Sequence, residues 1–285
     1  GTDNPDYYHL FGNNQNNVTG QGIADTVKLP QNSWQHCVYT YDGANTARLY
    51  RNGVEVNSET DALPPKQVPD YVFLLAWQAN GGWSADPASI DEARVSKACR
   101  SADWVWAEYM TSGSNEVFTT YGAAGGLPIN PNDYPSRCLI TITNYNRPET
   151  LTNFPVLVRL STNIVNFFYT DFQSTNGYDL RFATSNNAAQ LNYEIDTWNT
   201  GGVSYVWVQV PVLPNGGTNF WAYWGNSGAA AAAAYYTTNG ATWDSNYKAV
   251  LHLGENGSTL YDSTRNRYHF TRNGTVSQLT GSMVG

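Results

Sequence analysis

Charge is what this chain has least of. Of its 285 residues only 13% are Asp, Glu, Lys or Arg, where an ordinary soluble chain carries about a quarter. The balance is acidic, with a net charge of −8 and a pI near 4.9. No basic stripe exists to neutralise phosphates, which excludes nucleic acid as a partner. Cysteine is scarce too: Cys37, Cys99 and Cys138 are the only three, and no C-x-x-C pair occurs. That excludes a disulfide framework and a cysteine-based zinc site. It leaves either buried thiols or one Cys37–Cys99 disulfide with an odd thiol. No run of about 18 apolar residues occurs, so no membrane span is expected. No leader is legible before Gly1 either, so the sequence reads as processed or as a piece of a longer chain. The four histidines, His9, His36, His252 and His269, are scattered without H-E-x-x-H spacing. Serine nucleophile elbows and phosphate-binding glycine loops are absent.

What is present is aromatic and polar without being charged. Aromatics make up 14% of the chain, including 10 Trp and 20 Tyr, and the hydrophobic fraction is 41%. Large rings suit half-buried pleated surfaces, and abundant Asn, Thr, Ser and Gly suit turns and strand edges. The composition predicts an all-β chain, long enough for two domains, in a secreted or extracellular setting. Ser33–Tyr41 and Arg48–Arg51 read as strands, and Asn52-Gly53 turns the second into Val54–Val56. Asn-Gly between extended runs is a strong hairpin signal, because a type I′ turn needs positive φ twice. Phe11 to Asn17 reads as a loop, Tyr71 to Trp77 as a strand, and Ile90 to Val95 as an alternating strand. Ser101 can cap a short helix near 101–110, whose stability must come from docking. Gly and Pro mark 119–136 as a linker. Beyond Arg137, closely spaced strands suggest a second sandwich over 137–245, and 246–285 changes character again.

Two stretches of the first segment carry a resemblance. Trp34-Gln35-His36-Cys37-Val38-Tyr39-Thr40-Tyr41-Asp42-Gly43, followed by Leu49-Tyr50-Arg51-Asn52-Gly53, is similar to a signature of laminin-G-like, concanavalin A-like jelly rolls. Ile90-Asp91-Glu92-Ala93-Arg94-Val95-Ser96, followed by Arg100-Ser101-Ala102-Asp103-Trp104, resembles their closing strand and helix. Cys37 and Ala93 depart from the usual aliphatics. Residues 137–245 resemble a bacterial surface domain family of unknown function, through Gly177-Tyr178-Asp179-Leu180-Arg181-Phe182, Tyr193-Glu194-Ile195-Asp196-Thr197-Trp198 and Trp221-Ala222-Tyr223-Trp224-Gly225-Asn226. Val250-Leu251-His252-Leu253-Gly254-Glu255, then Tyr261-Asp262-Ser263-Thr264, resembles the opening of another laminin-G-like unit. The order implied is the later part of a jelly roll over 1–118, the linker, the second β-domain, and opening strands over 246–285. Head and tail, 1–30 and 246–285, each leave apolar sheet surface unpartnered. They are therefore expected to associate, within a longer tandem chain or between copies, by strand addition.

The chemistry is weighed on that frame. Glu194-Ile195-Asp196 places two carboxylates on one face of a strand, as in jelly-roll glycosidases. Asn199 and Thr200 stand where the second Glu would be, so a retaining mechanism lacks its acid and no catalytic residue is assigned. The resemblance implies a structural Ca²⁺ near the closing strand, with Asp91 as a ligand. The bland alternative is that Asp91 or Glu92 pairs with a neighbouring Arg. Trp77 and Trp83, with Tyr71 near Gln78 and Asn80, could stack on sugar rings, although sandwich cores also consume such rings. His36 is expected to be packed or hydrogen-bonded. Three N-x-[ST] sequons, at Asn17, Asn256 and Asn273, are what chance provides in so Asn-rich a chain. The expectation is a non-catalytic structural or adhesive repeat of a bacterial surface protein or extracellular filament, a homo-polymer or tandem array. A carbohydrate-binding module, with Ca²⁺ and a polysaccharide partner, is the second reading.

Overall fold

The computed structural model describes residues 11–13, 22–25, 27, 29–30, 32–60, 89–122, 133–229 and 235–272. Among them the all-β expectation holds: antiparallel sheets with one helix of real length. In the first unit β1 (Phe11–Asn13) pairs with β2 (Gly22–Ala24). This corrects the first three residues of the loop expected over 11–17, since main-chain pairing needs no apolar alternation; the remaining four lie outside the described residues. A three-strand meander follows, of β3 (Cys37–Tyr41), β4 (Ala47–Arg51) and β5 (Val54–Glu59). Asn52 and Gly53 both have positive φ, +50° and +77°, as the hairpin signal requires. The Asn52 Oδ1 accepts the His36 N–H, and the Asn52 N–H donates to the His36 carbonyl. The chain before Cys37 is thus bonded to the turn, and β3 starts later than the expected Ser33.

The tip of that hairpin abuts α1 (Ala102–Gly113): a Cβ at Gly53 would lie 3.1 Å from the Trp106 Cα. The helix begins where its cap residue predicts, with Ser101 Oγ accepting the Trp104 N–H and Asp103 in the first turn, favourable for the helix dipole. α2 (Asn115–Phe118) and β7 (Thr119–Tyr121) follow directly. β7 pairs with β8 (Ser136–Ile142), setting Thr120 opposite Thr141. The stretch 119–136 is therefore strand at both ends, because ladder bonds to β8 take up its first residues. β6 (Ala93–Ser96) precedes α1. It begins three residues later than the alternation suggests, because Glu92 has φ +55°, which breaks an extended run.

The second unit adds β9 (Leu151–Leu160), β10 (Arg181–Thr184), β11 (Tyr193–Thr197), β12 (Ser204–Leu213) and β13 (Thr218–Trp224). They form two sheets, ordered β10-β13-β8-β7 and β11-β12-β9. Consecutive residues Val206, Trp207 and Val208, and Val156, Leu157 and Val158, are all fully buried. Neighbours on a strand point opposite ways, so β9 and β12 are covered on both faces. Thr111 and Asn115 help close one side: Thr111 Oγ1 accepts the Leu157 N–H, and Asn115 Nδ2 donates to the Leu157 carbonyl. Asp179, from the Tyr-Asp-Leu-Arg-Phe motif, is fully buried and accepts the main-chain N–H groups of Gln173, Ser174 and Gly225.

The tail contains α3 (Tyr235–Thr238), β14 (Tyr247–Leu251), β15 (Thr259–Leu260) and β16 (Phe270–Thr271). β14 pairs antiparallel with β6, with Ala249 opposite Val95 and Leu251 opposite Ala93. Trp243, Tyr247 and Val250 join Trp104, Ala107 and the second unit in one hydrophobic core. The described part of the first unit has a small cluster of its own, Ile23, Ala47 and Leu49. The tail therefore meets β6, near the end of the first unit and outside the 1–30 expected to associate with it, across a seam laid on the second unit.

Candidate functional site

The alternation of β11 sends Glu194 and Asp196 to one side and Tyr193 and Ile195 to the other. The latter pair lines a cavity of about 200 Å³ with Asn176, Gly177, Tyr178, Thr237 and Thr238. The carboxylates point instead at the β6–β14 seam. There His252, one residue past β14, presents its imidazole. Its Nδ1 lies 2.6 Å from Glu92 Oε1 and 3.5 Å from Asp196 Oδ2, and its Nε2 lies 3.5 Å from Glu194 Oε1. Three separated segments thus supply four groups: Glu92 before β6, Glu194 and Asp196 on β11, and His252 after β14. Two backbone features aim them. Glu92 itself is left-handed, and so is Leu253 at φ +65°, a conformation that side-chain-bearing residues hold only where their surroundings enforce it.

Each carboxylate has a second partner that fixes its orientation. Arg94 Nη2 donates to Glu92 Oε2 at 3.1 Å. Trp207 Nε1 donates to Asp196 Oδ2 at 3.3 Å, and Trp243 Nε1 to Glu194 Oε2 at 2.7 Å. Ser263 Oγ donates to Glu194 Oε1. The Arg94 guanidinium lies over the Trp207 ring at 4.2 Å and stands 3.7 Å from Glu108, which accepts the Tyr247 hydroxyl. Glu92, Asp196 and His252 side chains are 11%, 7% and 12% exposed. Burial is the largest influence on Asp196; with Glu92 and Glu194 nearby it pushes that carboxyl up to about 7, against the pull of His252. Burial disfavours a charged imidazole, but Glu92 and Asp196 outweigh it and hold His252 well above its ordinary value. Burial likewise opposes ionisation of Glu92, and His252 and Arg94 overcome it to hold Glu92 low. The group is therefore an enclosed charge network and not an open cleft.

Among the described residues, Glu92, Asp196 and His252 are the set of His and acidic side chains whose ligand atoms all lie within 4.8 Å of one another. Asp91, the expected calcium ligand, is half-buried on the approach to β6, and its neighbour Glu92 is the one in this set. The set includes an imidazole nitrogen, whereas Ca²⁺ takes six to eight oxygens, so these residues do not fit Ca²⁺. Trp77, Trp83, Tyr71, Gln78 and Asn80 lie outside the described residues. His36 is packed near Tyr109, ring centroids 6.2 Å apart, and burial lowers its pKa. Asn199 serves the turn before β12, its N–H donating to Ser204 Oγ. All three cysteines are free, with Cys138 buried and Cys37 and Cys99 exposed.

Comparison with known proteins agrees with the resemblance of the first unit and of the second domain. Residues 3–106 match the family model of the concanavalin A-like lectin/glucanases superfamily. Residues 176–264 match a family described as Domain of unknown function (DUF2341). No curated protein matches the chain. One solved structure that matches is the 2.1 Å crystal structure of an S-layer domain-containing protein (residues 221–444) from Clostridium thermocellum. It is 20% identical with a TM-score of 0.23, and the match covers 31% of this chain and 45% of that one.

Proposed function

We propose that this chain, a concanavalin A-like unit joined to a domain of unknown function, is a non-catalytic structural or adhesive repeat of a bacterial surface or extracellular protein. Assembly proceeds by tail strands completing the sheets of heads. The observation that carries this reading is the β6–β14 pair, in which Ser96 and Asn246, 150 positions apart, bond directly. A strand drawn from so far along the chain closes on its own head in one copy and serves equally to close the head of another. The enclosed network at the same seam supports a joint, because it draws Glu92 from the first unit, Glu194 and Asp196 from the second and His252 from the tail into one cluster.

The test places cysteines at Val95 and Ala249, which are opposed across the seam, in a chain whose three native cysteines are replaced by serine. Oxidation at low protein concentration is expected to give an intrachain disulfide. At high concentration a ladder of linked copies is expected. A bond that stays intrachain at every concentration removes assembly by strand exchange, and no bond at all removes the seam.

The lectin part of the matched superfamily name favours a second reading, carbohydrate binding. Retention on immobilised polysaccharide that is lost in Trp77→Ala or Trp83→Ala would support it, and retention unchanged in both would not.

A further inference from the structure

We propose that Glu92, Asp196 and His252 form a binding site for a divalent cation of the zinc type, which clamps head, second unit and tail together. The geometry is that of a ligand set around a common point. Zinc binds imidazole nitrogen and carboxylate oxygen at about 2.0–2.2 Å, which puts neighbouring ligand atoms about 3–3.5 Å apart. His252 Nδ1 stands 2.6 Å from Glu92 Oε1 and 3.5 Å from Asp196 Oδ2, and all three ligand atoms lie within 4.8 Å of one another, so the ion would enter by parting the His252–Glu92 pair by roughly 0.5–1 Å. Asp196, 7% exposed, is taken almost wholly out of water, beside the Trp207 indole N–H at 3.3 Å and, at 3.5 Å, the Thr197 hydroxyl and His252 Nδ1.

The surroundings are those of a metal-binding histidine. A ligating imidazole ordinarily donates its other N–H to a carboxylate, which fixes the ring. Here the other nitrogen, Nε2, is buried with no hydrogen-bond partner, and Glu194 Oε1 stands 3.5 Å from it. With Nδ1 on a cation, the ring proton resides on Nε2 and is directed at Glu194. Glu194 is itself fixed by Trp243 and Ser263, and Glu92 is fixed through its other oxygen by Arg94. The outer carboxylate, the outer guanidinium and the indoles therefore hold all three ligands in place, leaving Glu92 Oε1 and His252 Nδ1 facing the ion's position. One nitrogen and two oxygens favour zinc over calcium or magnesium. The site goes beyond the structural reading and does not rest on it: ion binding by a single copy is scored without any assembly.

The experiment titrates Zn²⁺ into the full chain, stripped of metal with a chelator, by calorimetry. Expected is one equivalent, insensitive to millimolar Ca²⁺, with affinity weakened at least about tenfold in His252→Gln and Asp196→Asn. Circular dichroism checks that each variant is folded. Zinc-edge anomalous scattering from crystals of the unaltered chain supplies a readout independent of the variants, with a peak expected between Nδ1 of His252 and the two carboxylates. The idea fails if the chain binds no Zn²⁺, if Ca²⁺ displaces it, if both folded variants bind as the parent does, or if the anomalous peak lies elsewhere.

Discussion

His252 and Glu92 form a buried ion pair across 160 residues of chain, Nδ1 to Oε1 at 2.6 Å. The pair joins the tail to the first unit; His252 also approaches Glu194 and Asp196 of the second unit, and Glu92 is held through its other oxygen by Arg94. Removing one partner of a buried pair leaves the other charge uncompensated, at a cost of about 3–5 kcal/mol. Glu92→Ala is therefore expected to lose stability of that order in urea unfolding under chelating conditions. A double-mutant cycle with Glu92→Gln and His252→Asn should give a coupling of about 0.5–3 kcal/mol. Strictly additive losses would mean that the two side chains do not interact in solution.

How much of this was legible beforehand differs between fold and site. The Asn52-Gly53 turn, the Ser101 cap and the alternation of β11 are local, and each is written in a few consecutive residues. The Glu194–Asp196 face was visible for the same reason. The joining of Glu92 and His252 was not, because it follows from β6 pairing with β14, and no local pattern records a partner so distant. The motif pointed to Asp91, but the left-handed backbone at Glu92 turns the next residue inward. The only signal available was that the closing motif carries Glu92 and the opening motif carries His252 immediately beside strands expected to want partners.

Gly53 and Gly43 both have positive φ, +77° and +82°, yet only Gly53 is crowded, by Trp106 and Tyr109 of α1. Alanine at either position costs about 1–2 kcal/mol for its left-handed backbone. Gly43→Ala should lose that amount, since nothing lies within 4 Å of its added methyl. Gly53→Ala should lose clearly more and loosen the hairpin from the helix, seen as faster amide exchange across β4 and β5. Equal losses at the two positions would mean that the hairpin does not rest on α1.

The three cysteines should separate into two classes. Cys37 and Cys99 are exposed. Cys138 is enclosed in the sandwich, its thiol donates to the Gly122 carbonyl at 2.9 Å, and burial pushes it up to about 12. The thiolate is the reactive form, so an aromatic disulfide reagent at pH 8 should titrate two thiols in the folded chain and the third only in denaturant. Three fast equivalents would place Cys138 outside the core.

Asp42, the aspartate of the Thr-Tyr-Asp-Gly motif, offers a pH test of the first unit. Its Oδ1 accepts the main-chain N–H groups of Ala44, Asn45 and Thr46 at 2.8–3.0 Å. The N–H groups of Thr46 and Ala44 favour the ionised carboxylate most and hold its pKa at about 2, below the ordinary 3.8. The sign follows from linkage: a depressed carboxyl contributes stability above its unfolded value and loses it as pH falls through the folded one. The loop between β3 and β4 should therefore be fully held above about pH 4 and weaken between there and pH 2. A carbon-detected NMR titration of the Asp42 carboxyl should give a midpoint near 2, with the amide shifts of Ala44, Asn45 and Thr46 moving in step. In Asp42→Ala those shifts should stay flat over the same range. A midpoint at the ordinary carboxyl value would mean that the aspartate does not hold these three N–H groups in solution.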